Sequence, residues 1–127
     1  MTLGIRNLTR QSAPRLPFSE IAENILGKDY DLSLVFIGSK LSREMHLKFH
    51  KKDSPANVIS FPLSKTSGEI FIDLSEARRE APLFKRSYLE HVGGLFIHGL
   101  YHLKGLSHGR TMESMELKAR RRFLKAS

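Results

Sequence analysis

The chain contains no cysteine and no long apolar run, and each absence excludes a class of protein. Without cysteine there is no disulfide and no thiolate metal site, so His, Asp and Glu remain as the candidate metal ligands. No apolar run approaches the ~18 residues that a membrane-spanning helix requires. The start, MTLGIRNLTRQSAPRLP, lacks the apolar segment of a signal peptide. We therefore expect a cytoplasmic protein.

Acidic residues are also scarce. The chain has 13 Asp and Glu against 21 Lys and Arg, which gives a formal net charge of +8 at pH 7. A field of this sign attracts polyanions, and RNA and DNA are the leading candidates. Solubility alone would explain the same charge, so composition leaves both interpretations open.

The remaining composition is typical of one globular domain, which we place at residues 1–127, with 40% hydrophobic and 27% charged residues. Apolar periodicity and turn residues predict strands and helices without regular βαβ alternation. We predict an α+β fold: a small mixed sheet of about four strands packed with helices around a central metal-bearing helix. The predicted strands are 4–9, 30–38, 57–63 and 68–74, and the predicted helices are 17–27, 39–49, 75–81, 88–104 and 112–126.

Several of these predictions depend on single residues. Ser39 is a plausible N-cap for its helix. SKTSG, between the third and fourth strands, predicts a hairpin with a five-residue connection. Pro62 cannot donate to a ladder, so it should mark a strand end or an edge strand. Pro82 should end the helix before it.

The predicted helix 88–104 has the clearest boundaries. Ser87 and Glu90 have the spacing of a capping box, and Gly105 stands where a left-handed C-cap is expected. At about 100° per residue, His98 and His102 share one face, a turn apart. The opposite face, expected to point into the core, carries Leu89, Val92, Phe96, Leu100 and Leu103.

Two histidines four residues apart on a helix can bind one divalent ion. Zinc then needs a third ligand about 2.0 Å away, which the helix alone cannot supply. Gly105 permits the positive φ that turns the chain back and brings His108 to the same point. The spacing predicts one Zn²⁺ per chain, bound by His98, His102 and His108, with a fourth position open to water, as in catalytic sites. Metzincin peptidases use the same H-x-x-x-H-x-x-G-x-x-H spacing, but they carry a Glu base where this chain has Gly99.

The stretch HGLYHLKGLSH resembles the hallmark of the YbeY family, H-G-x-L-H-L-x-G-Y-D-H. Upstream, FHKKDSPANVISFP is similar to that family's approximate pattern Y-R-x-x-D-x-P-T-D-V-L-S-F-P, and GEIFID and MESME resemble its later segments. The similarity spans roughly residues 30–120. It implies a zinc-dependent, single-strand-specific endoribonuclease of ribosomal RNA maturation and ribosome quality control. RNA and the ribosome would be its partners, with a ribosomal protein or a GTPase as possible additions.

Tyr101, Leu106 and Ser107 depart from the family's histidine hallmark. Two other departures bear on the chemistry: His50 replaces an arginine, and Asn57 replaces an aspartate. His50, as a cation when protonated or as a proton shuttle, and Ser60, as a pocket residue, are the candidate catalytic residues. A surface role for His50 remains an equal alternative. The candidate RNA-binding residues are Lys48, Lys51, Lys52, Arg120, Arg121 and Arg122.

The remaining histidines and methionines are predicted to lie outside the metal site. His91 is two turns from His98 and is expected to be a neighbouring or packing group. His46 fits no metal spacing. Met112 and Met115 are expected to face the core.

Two other functions fit the same residues. A zinc metallopeptidase-like hydrolase keeps the metal and changes the substrate. A non-catalytic ribosome- or RNA-binding module would use the ion only for stability.

Overall fold

The computed structural model describes residues 1–124, so the end of the predicted last helix, to residue 126, lies outside the described residues. Four strands form one sheet: β1 (Thr2–Asn7), β2 (Asp31–Ile37), β3 (Val58–Ser64) and β4 (Ser67–Asp73). The strand order is β1-β2-β4-β3. β2 pairs in parallel with β1 and β4, while β3 runs antiparallel to β4. The predicted α+β class and the mixed four-stranded sheet are confirmed.

Five helices accompany the sheet: α1 (Phe18–Leu26), α2 (Ser39–His50), α3 (Leu74–Glu80), α4 (Tyr88–Leu103) and α5 (Arg110–Phe123). A short 3₁₀ turn, Ala81–Phe84, joins α3 to the segment before α4. None of the helices within residues 1–124 is both long and apolar enough to cross a membrane.

The core lies between the sheet and helices α1, α4 and α5. Strand β2 is buried along most of its length because it is a central strand, with β1 on one side and β4 on the other. Phe18 of α1 contacts Phe36 of β2 and Phe96 of α4, with ring centroids 5.8 and 4.9 Å apart, respectively. Met112 of α5 is fully buried in the same cluster, and Met115 packs against it. Helix α4 is therefore central, as predicted.

The capping residues define the start of α4. The Ser87 hydroxyl accepts a hydrogen bond from the backbone N–H of Glu90, and the Glu90 carboxylate accepts one from the backbone N–H of Ser87. This reciprocal pair is the predicted capping box, and it satisfies two N–H groups that the helix leaves free. It fixes the helix start, and with it the rotational position of the histidines ten residues later.

A buried polar pair anchors α2. The Ser42 hydroxyl donates to the Asp73 carboxylate at 2.6 Å, and both side chains are inaccessible to solvent. Asp73 also caps α3 by accepting from the backbone N–H of Glu76. Because both partners of a buried polar contact must stay paired, this contact holds the first turn of α2 against the end of β4.

Three local predictions are wrong. Gly38, not Ser39, is the N-cap of α2, because the chain leaves β2 one residue earlier and no side chain caps the helix. The hairpin turn contains only residues 65 and 66, because pairing extends from Ser64 to Ser67. Pro82 behaves as predicted, since α3 ends at Glu80, and it lies in the first residues of the following 3₁₀ turn, where its missing N–H costs nothing. The third wrong prediction concerns Leu89.

Leu89 is 43% exposed, whereas the helical wheel placed it in the core. It belongs to the first turn of α4 and lines an open pocket between that turn, the segment 11–15 and α3. Pro62 behaves as expected, since it lies on the edge strand β3 beside a register irregularity.

Candidate metal centre

Three imidazoles converge at the C-terminal end of α4. One ring nitrogen from each of His98, His102 and His108 lies within 4.8 Å of the other two. The Nε2 atoms of His98 and His102 are 3.0 Å apart. The ring centroid of His108 is 5.1 Å from that of His98 and 4.7 Å from that of His102. The chain thus brings together the three histidines singled out by spacing.

The turn after α4 returns His108 to the helix. Gly105 has a φ of +100°, a conformation that L-residues with side chains rarely adopt. The backbone N–H of Leu106 donates to the Tyr101 carbonyl, and that of Gly105 donates to the His102 carbonyl. This pair of bonds is a Schellman motif, in which the terminal carbonyls are satisfied while the chain reverses direction.

Two acceptors fix the unused nitrogens of the helical histidines. Nδ1 of His98 lies 2.5 Å from Oε1 of Glu116 on α5. The ring of His102 hydrogen-bonds to the backbone of Leu106. When Nδ1 donates to a neighbouring acceptor, Nε2 keeps its lone pair for a metal, so such contacts set the tautomer and the ring orientation.

The surroundings of His102 favour its neutral form. Burial, followed by the adjacent imidazoles of His98 and His108, lowers the pKa of His102 below its ordinary value. A neutral imidazole is the form that binds metal. The nitrogen donors, their separation and the acceptors behind them therefore fit a divalent transition metal. Imidazole suits zinc but also copper, iron and nickel, so the donor set does not identify the ion.

The three histidines line one end of an open cleft of about 550 Å³. His50, at the end of α2, and Ser60 and Pro62, on β3, line the same cleft. His50 is exposed, and the Ser60 hydroxyl donates to the carbonyl of Gly99 at 3.3 Å. Both candidate catalytic residues therefore lie beside the imidazole cluster.

Gly99 is packed directly against the sheet. A Cβ built on it would lie 2.9 Å from Oγ of Ser60 and 3.1 Å from Cδ1 of Ile70. Contacts this short leave no room for a side chain unless the Ser60 and Ile70 side chains shift. The position that carries the Glu base in metzincins is thus packed here against two side chains of the sheet.

Comparison with known proteins now adds to the geometry. A family model described as endoribonuclease YbeY matches residues 7–126. The chain belongs to the YbeY family. The resemblance inferred from the histidine stretch and the upstream motif is confirmed.

Two named YbeY relatives illustrate the extent of the match. Endoribonuclease YbeY of Campylobacter jejuni is 33% identical over 112 residues, which cover 84% of this chain and 83% of that protein. Endoribonuclease YbeY of a Wolbachia strain is 31% identical over 102 residues, covering 76% of this chain and 68% of that protein. A solution structure from Thermotoga maritima has a TM-score of 0.68 at 22% identity, covering 94% of this chain and 87% of that one, which supports the fold.

The basic residues suggested as RNA contacts do not form one surface in this YbeY chain. Lys48, Lys51 and Lys52 are exposed around His50. On α5, Arg120 lines a second cavity with His98, whereas Arg122 lines a cavity against α1. Arg121 is exposed. The three consecutive arginines therefore point to different sides of the helix.

The other histidines have structural partners. Nε2 of His91 is 2.9 Å from Oε1 of Glu80, and His91 is buried, which agrees with a packing role. Nδ1 of His46 lies 2.9 Å from the Ser54 carbonyl. Neither belongs to the imidazole cluster.

Sequence analysis missed Glu116 as a site residue. A signal was present, because the inner stripe of α5 runs through Met112 and Ala119, both buried, and Glu116 falls between them. A carboxylate on an inward-facing stripe is rarely left without a partner. The identity of that partner, His98, required the packing of α5 on α4.

We predict that Glu116→Gln weakens metal binding by about 10–100-fold while the fold is retained. The amide keeps the shape but removes the charge that orients His98 and raises its basicity. Competition for zinc with a chromogenic chelator measures the effect, and Glu113→Gln, on the exposed side of the same helix, is the matched control. Equal zinc affinity in both variants would contradict the role of Glu116.

Proposed function

We propose that this chain is a zinc-dependent endoribonuclease that cuts single-stranded RNA in ribosomal RNA maturation and ribosome quality control in the cytoplasm. The observation that carries the proposal is the convergence of three imidazoles at one end of an open cleft, in a chain of an endoribonuclease family. The net charge of +8 supports a polyanionic substrate.

His98, His102 and His108 would hold the ion. A bound divalent metal supplies Lewis acidity toward a phosphoryl oxygen and lowers the pKa of water. Hydrolysis breaks one P–O bond as water adds to phosphorus, so one proton must leave the water and one must reach the departing ribose oxygen. His50 lies in the cleft and is the side chain to which we assign a proton transfer.

Ser60 and Asn57 have positioning roles in this proposal. The hydroxyl of Ser60 donates a hydrogen bond to the Gly99 carbonyl, and this bond connects β3 to α4 beside the imidazoles. The side-chain oxygen of Asn57 accepts from the backbone N–H of Val58, and its amide donates to Glu80. Lys48, Lys51 and Lys52 surround His50 and would contact the phosphodiester chain without reading its sequence.

The two other candidate functions have less support. A zinc peptidase of the metzincin type needs a carboxylate after the first histidine, whereas this chain has Gly99 there, packed against the Ser60 and Ile70 side chains. A purely structural ion would have a closed coordination sphere, whereas this cluster faces a cleft of about 550 Å³.

The proposal is tested by incubating the zinc-loaded protein with one RNA sequence as a single strand and as a duplex, and with an unfolded protein. We expect cleavage of the single strand only, and its loss on addition of a chelator. His50→Ala should lower the cleavage rate by about 10²-fold and leave zinc content unchanged. Lys40→Ala, exposed at the other end of α2, is the control.

Two results would overturn the proposal. One is intact RNA under conditions where elemental analysis shows one zinc per chain. The other is cleavage of the unfolded protein instead of the RNA.

A further inference from the structure

A second cavity lies on the other side of His98. It has a volume of about 360 Å³ and shares Asn57, Val58 and His98 with the cleft described above. Its other walls come from the segment before α4, from α4 itself and from α5. We call it the arginine cavity, because Arg86 and Arg120 line it.

The two guanidinium groups meet above Gly94. A Cβ built on Gly94 would lie 3.6 Å from Nε of Arg120 and 3.8 Å from Nη1 of Arg86. Both groups thus approach one point on α4, one helical turn before His98. The absence of a side chain at Gly94 leaves the space between them and the helix open.

The arginines have few partners of their own. Within residues 1–124, neither guanidinium has a carboxylate oxygen within 4.0 Å. Nε of Arg120 is buried without a hydrogen-bond partner in that part of the chain. Arg86 makes one long hydrogen-bond contact, 3.5 Å from Nη1 to Nδ1 of His91, and its guanidinium lies over the Phe84 ring, 5.4 Å from the centroid. Two adjacent cations repel each other, and a bound anion would relieve this repulsion and accept from the unpaired Nε of Arg120.

The carboxylates of the cavity are already engaged elsewhere. Glu80 accepts from Asn57 and contacts His91, and Glu116 contacts His98. Burial and then the charge of Arg120 lower the pKa of Arg86 from its ordinary value, while the charges of Glu90 and Glu116 act in the opposite direction. The approach of both guanidinium groups to Gly94 agrees with this mutual repulsion.

We propose that Arg86 and Arg120 form an anion subsite for a phosphodiester of the RNA strand, next to the phosphate at the imidazole cluster. The subsite rests on the proposed function, because it assigns the neighbouring nucleotide of the same substrate. Gly94 and His98 are four residues apart, about 6 Å along the helix, a separation that adjacent nucleotides can span. Planar guanidinium groups suit phosphate oxygens because they donate in pairs.

An aromatic ring at the rim favours a nucleotide strand over a free inorganic ion. Phe84 lines the cavity and is 56% exposed, with His91 stacked on it at a centroid distance of 5.3 Å. Exposed aromatic rings beside cationic grooves are typical of single-strand binding, since bases stack on them.

The test is the affinity of a short single-stranded oligoribonucleotide in the presence of chelator, measured by fluorescence anisotropy over a range of salt concentrations. Arg86→Ala and Arg120→Ala should each weaken binding about tenfold. Each should also reduce the slope of log affinity against log salt by about 0.7. Arg10→Ala, which removes the same charge from an exposed position remote from this cavity, should change affinity less than twofold.

Two further measurements identify what the arginines bind. If Arg86 and Arg120 share one phosphate, replacing both by Ala should weaken RNA binding by less than the sum of the two single effects on the binding free energy. Inorganic phosphate should compete with the oligonucleotide only weakly, and competition at equal strength would overturn the assignment to a strand.

The outcomes separate this proposal from the proposed function. Wild-type affinity and salt slope in both arginine variants, with metal-dependent cleavage intact, would overturn the subsite alone. Arginine-dependent RNA binding without any cleavage by the zinc-loaded protein would overturn the nuclease and leave the subsite standing.

Discussion

His108→Ala is expected to weaken zinc binding on the order of 10³-fold while leaving the metal-free fold unchanged. His108 is exposed, lies in the loop after α4 and makes no hydrogen bond among residues 1–124. Its removal should therefore alter the free energy of unfolding of the metal-free chain by less than about 0.5 kcal/mol. Apparent binding free energies of about 10–16 kcal/mol in four-ligand zinc sites imply about 2.5–4 kcal/mol for each ligand, and the upper end of this range corresponds to about 10³-fold.

This variant separates ligation from folding better than the helical histidines do. His98 is tied to Glu116 and His102 is partly buried, so replacing either also disturbs packing. Isothermal titration with zinc and thermal unfolding in chelator give the two quantities independently. His46→Ala is the matched control, because His46 lies outside the imidazole cluster. If His108→Ala and His46→Ala bound zinc with wild-type affinity, three-histidine coordination would be wrong.

The features predicted correctly from sequence are those set by local rules. The capping box, the glycine turn and the i, i+4 spacing of His98 and His102 all act within about one turn of helix. The positions of α4 and of the three imidazoles could thus be inferred before any tertiary contact was known. The strands were recognisable for the same reason, since alternation and turn residues are local signals.

The missed features depend on contacts between distant segments. Glu116 reaches His98 across 18 residues, and Arg86 and Arg120 meet over Gly94 only because α5 packs on α4. Leu89 was misplaced because a helical wheel treats every turn as equally covered. The sequence pattern distinguishes the faces of a helix but does not show which neighbour, if any, covers each face.

Substitution of Gly99 is the second change for which we expect a large effect, here on folding stability. Gly99→Glu, which introduces the metzincin residue, is expected to lower the free energy of unfolding by about 2–6 kcal/mol. The new Cβ would lie 2.9 Å from Oγ of Ser60 and 3.1 Å from Cδ1 of Ile70. Overpacking of this kind costs about 1–3 kcal/mol, and burial of an unpaired carboxylate adds at least a similar amount. Chemical denaturation in chelator measures the loss.

Gly94→Glu is the matched control, because the same substitution one turn earlier meets the opposite surroundings. A Cβ there has ordinary contacts at 3.6 Å or more, and its nearest neighbours are the guanidinium groups of Arg120 and Arg86. The gain in helix propensity is the same in both variants, so the difference between their stabilities reports tertiary packing and charge alone. We expect Gly94→Glu to unfold at or above the wild-type denaturant midpoint and to lose RNA affinity, since its carboxylate occupies the arginine cavity. Wild-type stability in Gly99→Glu would show that the Ser60 and Ile70 side chains can move aside, and the steric argument at Gly99 would then fail.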